Sequence, residues 1–168
     1  RIYLRRTLRR VNGPAIDFGC GTGEFLAMLP PASVGYEVNE ATVRLCRERG
    51  LDVRHYRPEE DNYELRDCRP GEFSTFVMLH VLEHLADAQS VLRRFARSCA
   101  RLGVGRMIII VPGEKGYRFD PTHATFIDRA FIDRQGLANL EGYLIAEEAY
   151  FPLPWKWGGR VFTHSELM

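Results

Sequence analysis

A chain of 168 residues, 45% hydrophobic and 27% charged, can bury one sizeable core and is too short for two ordinary domains. Its formal net charge of +1 excludes a global field that would gather nucleic acid or an anionic membrane surface. The four cysteines, Cys20, Cys46, Cys68 and Cys99, lie far apart without metal-type pairing, which excludes a disulfide framework and points to a reducing, cytoplasmic setting.

The opening "RIYLRRTLRR" carries Tyr3, Leu4, Leu8 and Val11 at helical spacing. Its arginines Arg5, Arg6, Arg9 and Arg10 read as a solvated helix face in preference to a grip on an anionic substrate. "NGP" then turns the chain into a short buried strand, "AIDFG". "EFLAMLP" predicts a helix stopped by Pro30 and Pro31, "SVGYEV" a strand, and "NEATVRLCRERG" a helix capped by Asn39 and ended by Gly50. "LDVRHY" is a third strand. After a polar stretch from Arg57 to Gly71, "FSTFVML" is a strand too apolar for an exposed edge, and "LADAQSVLRRFARSCARLG" is an amphipathic helix. "RMIIIVPG" is the most hydrophobic strand and is expected near the centre of the sheet.

In the last third, "GEKGYRFDPTHATF" reads as a loop and "IDRAFIDRQGLANLEG" as a helix. "YLIAEEAYFP" and "RVFTHSELM" read as two antiparallel strands joined by "LPWKWGG". Strands alternating with helices imply right-handed crossovers. The expected fold is α/β: a doubly wound, Rossmann-like, mostly parallel sheet with helices on both faces and an antiparallel strand at its C-terminal end. No run is long and apolar enough for a membrane span, and no signal-peptide pattern opens the chain.

Function points to the first strand–loop–helix crossing, where open α/β sheets bind ligands. Gly19, Gly21 and Gly23 stand there, leaving the backbone open to close approach. Glu37, about 20 residues further on, is placed to accept hydrogen bonds from both hydroxyls of a ribose. Asp17 precedes the loop and Glu24 follows it. Two acids make the site poor for a pyrophosphate, which prefers bare N–H donors at a helix N-terminus, and better for a ligand with a positive part.

These residues resemble a known family. "IDFGCGTGEF" looks like the first motif of class I S-adenosylmethionine-dependent methyltransferases, "VGYEVN" is similar to their ribose-binding segment, and "FVMLHVLEHLAD" looks like their strand-four segment. The resemblance implies S-adenosylmethionine as cofactor, with Gly19, Cys20 and Gly21 along its methionine half and Asp17 at its ammonium group. It implies Glu37 at the ribose, Val38 against the adenine, and Leu79 and His80 facing the sulfonium and the methionine moiety. It also implies one domain over residues 1–168, open to trimming at both ends, with Met168 cutting the final strand short or stopping very near its end. Tyr3 and Leu4 would close over the cofactor as a lid. Two departures stand out: Ser74 occupies the place of a common acid at the start of strand four, and the adenine-binding acid is left open among Glu59, Glu60 and Asp61.

The implied reaction is methyl transfer to a small-molecule acceptor. His123, in the loop after the fifth strand, is the candidate general base, with Asp120 or Tyr117 to orient it; simple turn-and-cap chemistry is the competing reading. His84 reads as structural, and no two of the five histidines share metal-ligand spacing, so no metal is expected. Tyr150, Phe151, Trp155 and Trp157 read as core packing before pocket wall. Two other readings stay open: a degenerate, non-catalytic cofactor-binding domain, and a nicotinamide-dependent oxidoreductase, against which the loop spacing argues. No nucleic-acid or membrane partner is expected, and oligomeric state is not legible.

Overall fold

The computed structural model describes residues 2–151 and 166–167. In chain order the helices are α1 (Ile2–Leu8), α2 (Glu40–Glu48), α3 (Pro58–Asp61), α4 (Ala88–Leu102), α5 (Glu114–Phe119) and α6 (Arg129–Arg134). The strands are β1 (Ala15–Phe18), β2 (Val34–Glu37), β3 (Val53–His55), β4 (Thr75–Leu79), β5 (Arg106–Pro112), β6 (Asn139–Leu140), β7 (Tyr143–Leu144), β8 (Tyr150–Phe151) and β9 (Glu166–Leu167).

Five strands pair in parallel in the order β3-β2-β1-β4-β5, and the antiparallel β9 and β8 extend that sheet. Because β2 flanks β1 on one side and β4 on the other, strand order reverses at the carboxyl ends of β1 and β4. A cleft opens there by topology alone. No helix among the described residues is long and apolar enough to cross a membrane.

Alternation along the strands sends side chains to two covered faces. Ile16, Phe18, Val34, Tyr36, Phe76 and Met78 share one cluster with Phe95 and Cys99 of α4. The rings of Phe18 and Phe95 meet edge to face at 4.5 Å, and Phe76 lies 5.0 Å from Phe95. The opposite face carries Val77 and Ile108 against Leu4 of α1, and Val53 against Val43 and Cys46 of α2. Asp17 is a β1 residue between the inward-facing Ile16 and Phe18, so its side chain emerges on this second face. Helix boundaries follow local chemistry: Asn39 Oδ1 accepts from Thr42 N–H, Asp87 Oδ1 accepts from Ser90 N–H, and Gly103 ends α4 at φ +75°.

The fold departs from the sequence expectations in four places. The helix predicted from Glu24 shrinks to a 3-10 turn at Leu26–Met28, since Pro30 and Pro31 donate nothing and β2 must begin at Val34. The expected loop after β5 contains α5, which starts at Gly113 and carries a Glu114–Arg118 ion pair one turn apart. The helix predicted to reach Gly142 ends as α6 near Gly136, at φ +61°, and a β6–β7 hairpin follows through Glu141 and Gly142, both at positive φ. "YLIAEEAYFP" holds two strands, β7 and β8, where one was expected. β5 is interior, between β4 and β9, and one place off the middle of the sheet. "LPWKWGG", with Trp155 and Trp157, lies outside the described residues.

Candidate functional site

β1 ends at Phe18 and delivers the chain into the glycine loop at the strand-order reversal. Gly19 turns at φ +72°, and a Cβ there would sit 2.3 Å from Val81 Cγ2. Gly21, at φ +50°, faces open space: no atom stands within 4 Å of where its Cβ would be. The loop therefore offers an unfilled backbone surface. Its shape is held from below by Gly19 and Cys20 N–H, both donated to the Tyr36 carbonyl, and by the Cys46 thiol, donated to the Gly21 carbonyl at 3.3 Å. Cys20 is buried beside it, and burial pushes its thiol well above the usual range.

Glu37 closes one side. Its Oε2 accepts from Gly21 N–H at 3.0 Å and its Oε1 from Asn39 N–H at 2.8 Å, so two backbone amides fix the carboxylate and each oxygen keeps a lone pair. The next residue, Val38, is 56% exposed, an apolar surface in want of a cover. Asp17 closes the other side at 1% exposure. Desolvation raises its pKa to about 7, against the pull of a hydrogen bond from Leu26 N–H, and its Oδ2 has no hydrogen-bond partner. A buried carboxyl oxygen without a donor is costly unless something outside the protein satisfies it.

Leu79, half-buried, ends β4, and His80 follows at φ +55°, a left-handed conformation rare outside glycine. Its N–H donates to the Ile110 carbonyl, and its ring meets Tyr3 edge-on at 6.0 Å. Strain of this kind gathers at binding sites. Tyr3 of α1 thus stands over the β4 end, while Leu4 packs into the core below. Of the three acids proposed for the adenine, Asp61 is committed elsewhere: it accepts from Tyr56 Oη, Leu65 N–H and Arg66 N–H. The opening arginines are divided, Arg10 pairing with Glu147 while Arg5 and Arg9 are exposed.

His123, its side chain 8% exposed, lies on the loop after α5. Its Nδ1 donates to the Tyr117 carbonyl at 2.8 Å, and the Tyr117 ring stacks on it at 5.5 Å. The backbone bond that sequence reasoning offered as the bland alternative is present, and it also fixes the tautomer so that Nε2 holds the free lone pair. Asp120 Oδ2 stands 4.0 Å from that nitrogen.

The residue that sequence reasoning missed is Glu83. It is 1% exposed, with Oε1 3.3 Å from His80 Nδ1 and 4.0 Å from His123 Nε2, and with Oε2 unpartnered. Its carbonyl also accepts from Ala124 and Thr125 N–H, tying the β4 loop to the His123 loop. A signal was available: an acid between apolar Leu82 and the helix start of "LEHLAD". His84 joins the group from the β4 side, its ring 4.7 Å from that of His123. One ligand atom each of Glu83, His84 and His123 lie within 4.8 Å of one another, so a metal-capable set forms when the fold brings His123 to the adjacent pair Glu83 and His84.

The comparisons agree with this geometry. The methyltransferase domain family matches residues 16–104, which contain the glycine loop, Glu37 and the β4 end. A curated relative, the ubiquinone biosynthesis O-methyltransferase of Methylococcus capsulatus, is 34% identical over 95 residues, covering 52% of this chain and 38% of that protein. The chain thus spans well under half the length of that relative. Among solved structures, an S-adenosylmethionine-dependent methyltransferase from Archaeoglobus fulgidus superposes with a TM-score of 0.67 at 21% identity, over 89% of this chain and 70% of that one. Magnesium protoporphyrin IX methyltransferase from Synechocystis, with its cofactor bound, gives 0.63 at 14% identity, over 99% and 72%. Fold, loop and family match converge: the chain belongs to the methyltransferase domain family, with the class I S-adenosylmethionine-dependent architecture.

Proposed function

We propose that this chain binds S-adenosylmethionine and transfers its methyl group to a hydroxyl of a small-molecule acceptor. The observation that carries the reading is Asp17 Oδ2, buried and without a donor beneath an open glycine loop. An ammonium group is the complement of that oxygen; a pyrophosphate is not. Asp17 holds the ammonium, Gly19, Cys20 and Gly21 line the methionine half, and Glu37 accepts from the ribose hydroxyls. Val38 packs on the adenine, while Leu79 and His80 border the sulfonium.

S-adenosylmethionine supplies an electrophilic methyl group on a sulfonium. The chain's own work is alignment, which can contribute about 7–11 kcal/mol. His123, with its lone pair on Nε2, is the group placed to take the acceptor's proton, a contribution of about 10²–10⁴-fold. Preference for a hydroxyl rests on the curated relative's name together with this nitrogen. A small acceptor fits the formal net charge of +1 and the ion-paired state of Arg10, Arg54, Arg97 and Arg129. Four buried free thiols support a reducing, cytoplasmic setting.

Calorimetric titration with S-adenosylmethionine, S-adenosylhomocysteine and NADH tests the reading. The first two are expected to bind saturably and NADH not at all. Glu37→Ala is expected to weaken cofactor binding by about 1–3 kcal/mol through unpaired ribose hydroxyls. Saturable NADH binding with no response to the other two overturns the assignment. Tight cofactor binding without turnover on a panel of hydroxylated acceptors supports the non-catalytic alternative.

A further inference from the structure

We infer that Glu83, His84 and His123 form a binding site for a divalent transition ion of the zinc type, beside the methyl-transfer position. The argument begins with what these groups lack. His123 has its Nδ1–H committed to the Tyr117 carbonyl, so Nε2 presents a lone pair, and the nearest carboxylate oxygens, Glu83 Oε1 and Asp120 Oδ2, each stand 4.0 Å away. Glu83 Oε1 is also held by His80 Nδ1 at 3.3 Å, whereas Glu83 Oε2 has no partner.

His84 repeats the pattern. The Thr122 hydroxyl donates to Asp120 Oδ1 at 2.7 Å, so its oxygen accepts from His84 Nδ1–H at 3.0 Å, and the ring's lone pair is left on Nε2. Each imidazole is therefore held in one tautomer by a hydrogen bond from its other nitrogen, the arrangement that fixes metal-ligating histidines in orientation. Glu83 supplies the independent observation: its side chain is 1% exposed, and Oε2 has no partner. A buried carboxylate with one unpartnered oxygen, beside the His123 Nε2 lone pair, is complemented by a cation.

The donor set selects the cation. Two imidazoles and a carboxylate suit borderline ions such as Zn²⁺, Co²⁺ or Fe²⁺, whereas Mg²⁺ and Ca²⁺ prefer oxygen alone. The ligand atoms lie within 4.8 Å of one another. Bonds of about 2.0–2.1 Å require them to draw in by about an ångström. His84 ends the 3-10 turn Leu82–His84 and His123 stands on the loop after α5, and a shift of this size is a side-chain adjustment at both. Asp120 Oδ2 is placed to join as a fourth ligand.

This site does not depend on S-adenosylmethionine binding, and it modifies the role of His123. With an ion bound, His123 Nε2 would be a ligand and no longer free to act as a base, and an acceptor hydroxyl held on the ion would be more acidic and would release its proton to solvent.

The test is Co²⁺ titration of the purified chain, stripped of metal, followed by visible absorption and then by Zn²⁺ and Mg²⁺ competition. Expected are d–d bands saturating at one Co²⁺ per chain, displaced by equimolar Zn²⁺ and unmoved by a hundredfold excess of Mg²⁺. His84→Ala and His123→Ala abolish the bands, and Thr122→Val, which leaves the ligands intact, weakens Co²⁺ binding by about tenfold. Circular dichroism of each variant confirms folding, and Glu83→Gln provides a second ligand variant that keeps the Glu83 backbone bonds. Absence of bands at millimolar Co²⁺, or bands unchanged in both histidine variants, overturns the inference. Displacement by Mg²⁺ at equal concentration overturns the donor-set argument. Cofactor titration reads separately, so failure of one proposal is distinguishable from failure of the other.

Discussion

Asp17 illustrates how one buried group writes a pH dependence into a whole protein. Its folded pKa, about 7, lies above the ordinary carboxylate value because burial penalises the charged form. Between pH 4 and 7 the folded state keeps a proton that the unfolded state has released, so its contribution to stability falls as pH rises through that window. The full loss above pH 7 is on the order of 4 kcal/mol. Urea unfolding at pH 5 and pH 8 is expected to show this slope in the wild type and to lose it in Asp17→Asn. Cofactor affinity should run the other way. An ammonium group favours the ionised acid, so affinity rises from pH 5.5 to 7.5 with proton release on binding, and calorimetry in buffers of different ionisation enthalpy should detect that release only in the wild type.

At the scale of elements, what was legible followed from local chemistry. Asn39 caps α2 as expected, and the three glycines mark the loop that the sheet order leaves open; Asp87 caps α4 in the same way. The acid Glu37 was legible because its distance from the loop is set by one crossover. Glu83 was not, since its burial depends on the approach of Ala124 and Thr125 from another loop, a contact that no local pattern encodes. The same reason hid the meeting of His84 with His123. α5 escaped because glycine has low helix propensity, while tertiary packing buries Gly116 and overrides propensity. α4 carries the largest share of the core, so Phe95→Ala should cost about 3–5 kcal/mol, whereas Asp87→Ala, a cap alone, should cost about 1 kcal/mol. Equal losses in denaturant midpoints would contradict that ranking.

Across the whole molecule, the reversal of strand order explains why the residues proposed for cofactor and acceptor share one end of the sheet. β1 supplies Asp17 and the loop, β4 supplies Leu79 to His84, and β5 leads to His123. Three consecutive places in a parallel sheet all point their carboxyl ends the same way. The antiparallel β9 pairs with Val111 and Pro112 at the carboxyl end of β5, and β8 lies beyond it.

The two faces of the sheet also hold their thiols apart: Cys20 and Cys46 in one cluster, Cys68 and Cys99 in the other. Burial shields all four and holds their pKa values high. Each pair therefore serves as a built-in reporter of when its own layer parts. Pulsed alkylation with mass readout should tag none of them at pH 7.5 in the native protein. With rising urea, the Cys20–Cys46 pair should stay protected longer in the presence of S-adenosylmethionine than the Cys68–Cys99 pair, because ligand grips only the layer that carries the glycine loop.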